Sequence, residues 1–333
     1  MWLLLLLTLL CTACAETPPR VSPPAGAADE DLVALLPSGA EAIFDLDLAG
    51  LRAAPLGQPL FAELPGSLRR SAALFTAEPL RDLDALALGV TGLGTEQLEA
   101  VLVARGRIDA PGLRERFLVQ EPRAALVHYH GQELLEPPAP VASGGQALGF
   151  LGSQAAVLGG RSAVRQVIDN QHGAGAGARS EPELLEALSR APRARVGRPA
   201  LWFAVLPSAA LRDRLRQADL AELGADASFL SGALAVADGV DVGLVAGFKE
   251  LAVAKDVAQR LQERVAWLRR RPLLARLGLG RHLQALVVQA APPGGQRKVA
   301  EVHLAWRLDQ ADAAEVLTRL AELRRLLDAA PRR

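Results

Sequence analysis

The stretch LDALALGVTG at 83–92 returns as LSGALAVADG at 230–239. It does not return alone. EAVLVARGRI (99–108) is matched by DVGLVAGFKE (241–250), ALVHYHG (125–131) by ALVVQAA (285–291), and IFDLDLAGLR (43–52) by WFAVLPSAALR (202–212). Any one match is within reach of chance in a chain rich in Ala and Leu. All four keep the same order at an offset of roughly 150 residues, which means two copies of a domain rather than a solenoid of short repeats. This constrains the fold more than any other feature.

Each copy reads as an α+β unit. A strand leads into a helix near 48–54 and again near 207–217. Two strands follow, joined by Thr91-Gly92-Leu93-Gly94 in the first copy and by Asp238-Gly239 in the second, a hairpin signal between apolar runs. The pattern then predicts a helix at 110–119 and a longer one at 250–270. In the longer helix Leu251, Ala254, Val257, Leu261, Val265 and Leu268 keep the three/four spacing of one buried stripe. Arg269, Arg270 and Arg271, then Pro272, are ordinary helix C-terminal signals. Two more strands close each copy across Pro-rich turns at 137–140 and at Pro292-Pro293-Gly294-Gly295. A final helix follows, at 161–170 and at 310–328, the latter with Val316, Leu320, Leu323 and Leu327 on its apolar face. The expectation is two related lobes from an internal duplication, 32–170 and 195–328, each a mainly antiparallel sheet with helices on one face. The segment 171–194 is a linker and connecting helix. Its glycines, in DNQHGAGAGARSEPE (169–183), predict a loop with few contacts.

Ahead of the lobes lies a leader. Residues 2–10 are nearly all leucine, and the only two cysteines, Cys11 and Cys14, close the run. The apolar stretch is about half of what a spanning helix needs, so it reads as the core of a signal peptide. Thr12-Ala13-Cys14 resembles the lipobox of bacterial lipoproteins, which implies that Cys14 carries the lipid and becomes the new N-terminus. The alternative is an A-x-A site, Ala13-Cys14-Ala15, with cleavage before Glu16. The match is partial: Cys11 stands where leucine is usual, and no basic residue precedes Trp2. Residues 1–14 are therefore read as leader. Residues 15–31, AETPPRVSPPAGAADED, are rich in Pro, Ala and acid and read as a flexible spacer. Ala15 after the cysteine implies, by the same resemblance, an outer-membrane destination on the periplasmic side. A chain without any thiol beyond Cys14 suits an oxidising compartment and has no disulfide, thiolate nucleophile or Cys-ligated zinc.

The mature part, with LLPSGAEAIFDLDLAGLR (35–52), DLDALALGV (82–90) and VARGRID (103–109), resembles uncharacterised bacterial envelope lipoproteins built from two related α+β lobes. That resemblance brings no catalytic residue.

Composition narrows function by exclusion. Lys plus Arg equals Asp plus Glu at 37 each, so nothing in the net charge marks a nucleic-acid binder or a polybasic membrane surface. At 4% aromatics, stacking platforms for bases or sugars are not expected. In His128-Tyr129-His130 the two imidazoles would share one strand face and could chelate a metal, with Glu133 or Glu136 as third ligand. The competing reading puts both histidines on the solvent side of a half-buried strand. Asp45 and Asp47 also share a strand face. Asp47 has a simpler role as helix N-cap, leaving Asp45 facing solvent. GAGAGAR (173–179) lacks the Gly-Lys-Ser/Thr of a phosphate loop, and His172, His282 and His303 are scattered. No motif asks for a cofactor. The expected function is a binding or scaffolding module tethered to the membrane by its N-terminal lipid. Its partner would be a protein or an apolar ligand, not nucleic acid. The alternative is a metal-dependent hydrolase using the His128/His130 face.

Overall fold

The computed structural model describes residues 31–64, 69, 72–138, 145–190, 199–217, 226–272, 274, 278–293 and 299–329, with side chains described to 322. Cys14, the leader, the spacer up to residue 30, the turn residues 139–140 and 294–295, and the side chains of Leu323 and Leu327 lie outside them. The chain divides into two compact units, residues 1–52 with 64–188, and residues 53–63 with 189–333.

In the first unit the elements run α1 (Leu32–Leu35), β1 (Ala42–Asp47) and α2 (Leu48–Ala53). Helix α3 (Gly57–Glu63), counted with the second unit, interrupts them. They resume with α4 (Pro79–Asp82), β2 (Leu83–Thr91), β3 (Glu99–Gly106), α5 (Ala110–Gln120), β4 (Ala125–Tyr129), β5 (Gln132–Glu136), β6 (Gln146–Phe150), β7 (Ala155–Gly160), α6 (Arg161–Gln171) and α7 (Pro182–Arg190). The strands lie in the order β1-β2-β3-β7-β6-β5-β4, each pair antiparallel. The second unit holds β8 (Leu201–Val205), α8 (Ala209–Gln217), β9 (Ala227–Val236), β10 (Gly239–Phe248), α9 (Leu251–Arg269), α10 (Leu279–His282), β11 (Leu286–Ala291), β12 (Ala300–Asp309) and α11 (Gln310–Ala329). Its strand order is β8-β9-β10-β12-β11, again antiparallel.

Without the β4–β5 hairpin, and leaving aside α1, α3, α4, α7 and α10, the two units have the same succession of elements, β-α-β-β-α-β-β-α, and the same strand order. β2 and β9 each hold the second place, and β3 and β10 the third. The expected pairing of 125–131 with 285–291 does not follow this order. The place that β11 takes in the strand order of the second unit belongs to β6 in the first, and β4 lies two strands further out.

Helices on one face, as expected, do not describe the first unit. On β3, Val101, Leu102, Val103 and Ala104 are all buried, and so are Ala155 to Leu158 on β7. Successive strand residues point to opposite faces, so a continuous buried run means that both faces are covered. Helix α6 covers one of them, bringing Val164 and Ile168 against Gly149. Helix α5 approaches the other, where Arg114 pairs with Glu133, and it buries Leu113 and Phe117. Each such large side chain contributes about 2 kcal/mol on burial. In the second unit α9 packs on β10, β11 and β12, with Gln262 Nε2 donating to Val288 O at 2.9 Å. Its buried stripe is Ala254, Val257, Ala258, Leu261 and Val265.

The segment 171–180 is also not the loose loop its composition predicts. Helix α1 is a single turn, so its last carbonyls have no partner within the helix. Asn170 Nδ2 donates to Leu35 O at 2.9 Å and Leu36 O at 3.1 Å, and the Ala178 amide donates to Leu36 O at 2.8 Å. Gly177 forms an isolated β-bridge with Pro37. A Cβ on Gly177 would lie 2.0 Å from Ala34 O, so only glycine allows this approach. The small size of Gly177 and Ala178 lets this end of the segment fit closely, and Ala178 is fully buried, while residues 172–176 stay exposed.

Candidate functional site

The β4–β5 hairpin sets the first unit apart from the second, and it carries the histidines singled out by sequence. It turns on two residues. His130 has φ 49° and Gly131 φ 77°, the left-handed pair that a tight two-residue hairpin requires. His130 therefore belongs to the turn and not to the strand. His128 remains on β4, exposed, opposite Glu133 of β5. The expected metal pair on one strand face is thus taken apart by the turn.

What the fold brings to His130 is the C-terminal end of α6. Its Nε2 lies 3.2 Å from Asp169 Oδ1, and its ring stacks on His172 with centroids 5.4 Å apart. Tyr129, on the α6 side of β4, donates its hydroxyl to the same Asp169 Oδ1 at 2.8 Å. The neutral phenol is favoured by that bond, by partial desolvation and by the negative charge of Asp169, so its pKa is raised; Arg165, 4.8 Å above the ring, opposes the shift. Arg165 also grips Glu136 with two hydrogen bonds, 2.7 and 3.0 Å, and Arg161 meets the same carboxylate at 2.9 Å. Glu136 is 5% exposed, and its hydrogen bonds hold the Arg165 guanidinium above its ordinary pKa.

Asp169 thus serves Tyr129 and His130, and Glu136 serves Arg161 and Arg165. The arrangement can orient and lock the hairpin against α6. Among the described residues, no group of three or more His, Cys, Asp or Glu side chains is placed to hold a metal ion. Glu133 is paired with Arg114 on the far face, and Glu136 with α6, so neither completes a set with His128 and His130.

Asp47 caps α2, accepting from the Gly50 amide at 2.8 Å, as its position implies. Asp45 is not solvent-facing. It is 9% exposed, on a strand whose other residues are also largely buried. His282 is buried near Asp312 of α11, at 3.5 Å, and His303 meets Glu301 at 2.8 Å. Sequence reasoning missed the meeting of His130 with His172 and Asp169. No short spacing links residues so far apart in the chain. The available signal was the His-Gly turn.

No family model matches the chain, and no curated protein does. A solved structure, crystal form I of TP0453, is similar over 89% of this chain and 98% of its own, at 10% identity and a TM-score of 0.44. No residue or role is carried over from it.

Proposed function

We propose that this chain is a lipid-anchored protein of the bacterial envelope, tethered on the periplasmic side of the outer membrane, that acts as a binding or scaffolding module for a protein or an apolar ligand. The observation that carries the reading is the placement of cysteine: both thiols lie at the end of the leucine run, and none follows Cys14. Among the described residues no helix is long and apolar enough to cross a membrane. The engagement of Asp169 and Glu136 in holding the hairpin supports a structural rather than a catalytic use of the polar cluster. The shared order of elements supports descent of the two units from one duplicated domain, with the β4–β5 hairpin added to the first copy.

Cys14→Ser and Cys11→Ser variants test the tether by fractionation. Cys11→Ser should stay in the membrane fraction. Cys14→Ser should leave it or accumulate as unprocessed precursor. Mature Cys14→Ser protein retained in the membrane through a half-molar salt wash would overturn the reading.

A further inference from the structure

The net charge of zero conceals one basic surface. At the C-terminal end of α9, Trp267 is 43% exposed, one of the few large apolar side chains left open among the described residues. The Arg271 guanidinium lies over its ring at 3.7 Å and that of Arg264 at 5.9 Å. Arg270 donates Nε to Ala266 O at 3.2 Å, satisfying a carbonyl of the last turn. Among the described residues neither Arg270 nor Arg271 has a carboxylate partner. Glu263, one turn back, accepts from the neutral Gln259 amide at 3.0 Å and keeps its charge, which the two arginines outnumber. Arg269 points the other way and holds Leu283 O at 2.8 Å, fixing the helix end to the segment that follows α10.

We propose that Trp267, Arg270 and Arg271 form a docking surface for an anionic lipid membrane, a second attachment carried by the folded chain itself. An indole flanked by guanidinium groups suits the boundary between headgroups and acyl chains, where the ring sits at headgroup depth and the charges meet phosphate. The arginines supply the charge complementarity, and the exposed ring supplies apolar area that water does not favour. A basic side chain near an anionic bilayer is worth roughly fivefold in partitioning, and salt screens the effect.

The test uses the full chain as Cys14→Ser, so that no lipid on cysteine contributes and the tether proposed above can fail separately. The readout is the ratio of partition coefficients onto phosphatidylglycerol and phosphatidylcholine vesicles, because the leucine-rich leader adds to both alike. Adding Arg270→Ala with Arg271→Ala should lower the ratio by roughly 25-fold, and Trp267→Ala should weaken anionic binding several-fold with the far-UV spectrum unchanged. Half-molar salt should remove the preference. Arg107→Ala with Arg123→Ala removes the same charge from the first unit and should leave the ratio within about twofold. An unchanged ratio in the Arg270/Arg271 variant, or an equal loss in the Arg107/Arg123 control, overturns the proposal. Tighter capture by duplex DNA than by the anionic vesicles overturns it as well.

Discussion

Asn170→Ala should destabilise the first unit by about 2 kcal/mol, an estimate built from one carboxamide. Asn170 Nδ2 is shared between Leu35 O and Leu36 O at 2.9 and 3.1 Å. After truncation Leu36 O keeps the Ala178 amide at 2.8 Å. Leu35 O, at the end of a one-turn helix and on a residue 5% exposed, is left without a donor among the described residues. A removed donor that leaves a buried carbonyl orphaned costs about 1–3 kcal/mol where water cannot reach it. The middle of that span is about 2 kcal/mol. For a unit of this size the midpoint of thermal unfolding should fall by about 4–8 °C. Asn170→Asp should be worse than Ala, since it sets a carboxylate against two carbonyls. Hydrogen exchange supplies the local readout. The Ala178 amide should be protected in the wild type despite its Gly/Ala surroundings, and should exchange faster in both variants. A loss under about 0.5 kcal/mol, with the Ala178 amide unprotected in the wild type, would refute the packed linker and return 171–180 to the loose loop its composition suggests.

Two further outcomes follow from single contacts. Tyr129 is the only tyrosine in the chain, so the tyrosinate absorbance reports it alone. Its phenol is held above the ordinary value by Asp169, so the native midpoint should lie above that of urea-unfolded protein; the associated stability is present below about pH 10 and lost as pH rises through the folded value. Equal midpoints in the two states would contradict the Tyr129–Asp169 bond. Gly232→Ala would place a Cβ 2.5 Å from Leu244 Cδ2 and 2.6 Å from Phe203 Cε1, and should cost about 1–3 kcal/mol by overpacking; a neutral effect in urea unfolding would argue against the β9–β10 and β8–β9 registers.

Helices α2, α5, α6, α7, α8, α9 and α11 and most strands were legible because their signals are local, while the short helices α1, α3, α4 and α10 were not read. The stripe of α9, the Asp47 cap and the Gly-rich turn at 91–94 each need only a few neighbouring residues to be read. The failures have non-local causes. ALVHYHG and ALVVQAA look alike because both are short apolar strands, yet strand order is a property of the sheet, and β4 belongs to a hairpin absent from the second unit. That hairpin was hidden because its turn is His-Gly, where the residue at positive φ is not the usual Asn or Asp. Asp45 was read as exposed from alternation, a rule that holds only when one face of the sheet is open. Segment 171–180 was read as loose because small residues bury little area, but smallness is also what lets one backbone lie against another. The cluster of Tyr129, His130, Asp169 and His172 depends on the hairpin folding back to the end of α6, which no spacing in the chain encodes.

The mass of the mature N-terminal peptide tests the central claim most directly. Protein purified from the membrane fraction of a bacterial host and digested should yield a first peptide beginning at Cys14 and carrying the added mass of a diacylglyceryl group on sulfur. A first peptide beginning at Glu16 with no added mass would contradict the lipid tether and leave a chain released by ordinary signal-peptide cleavage.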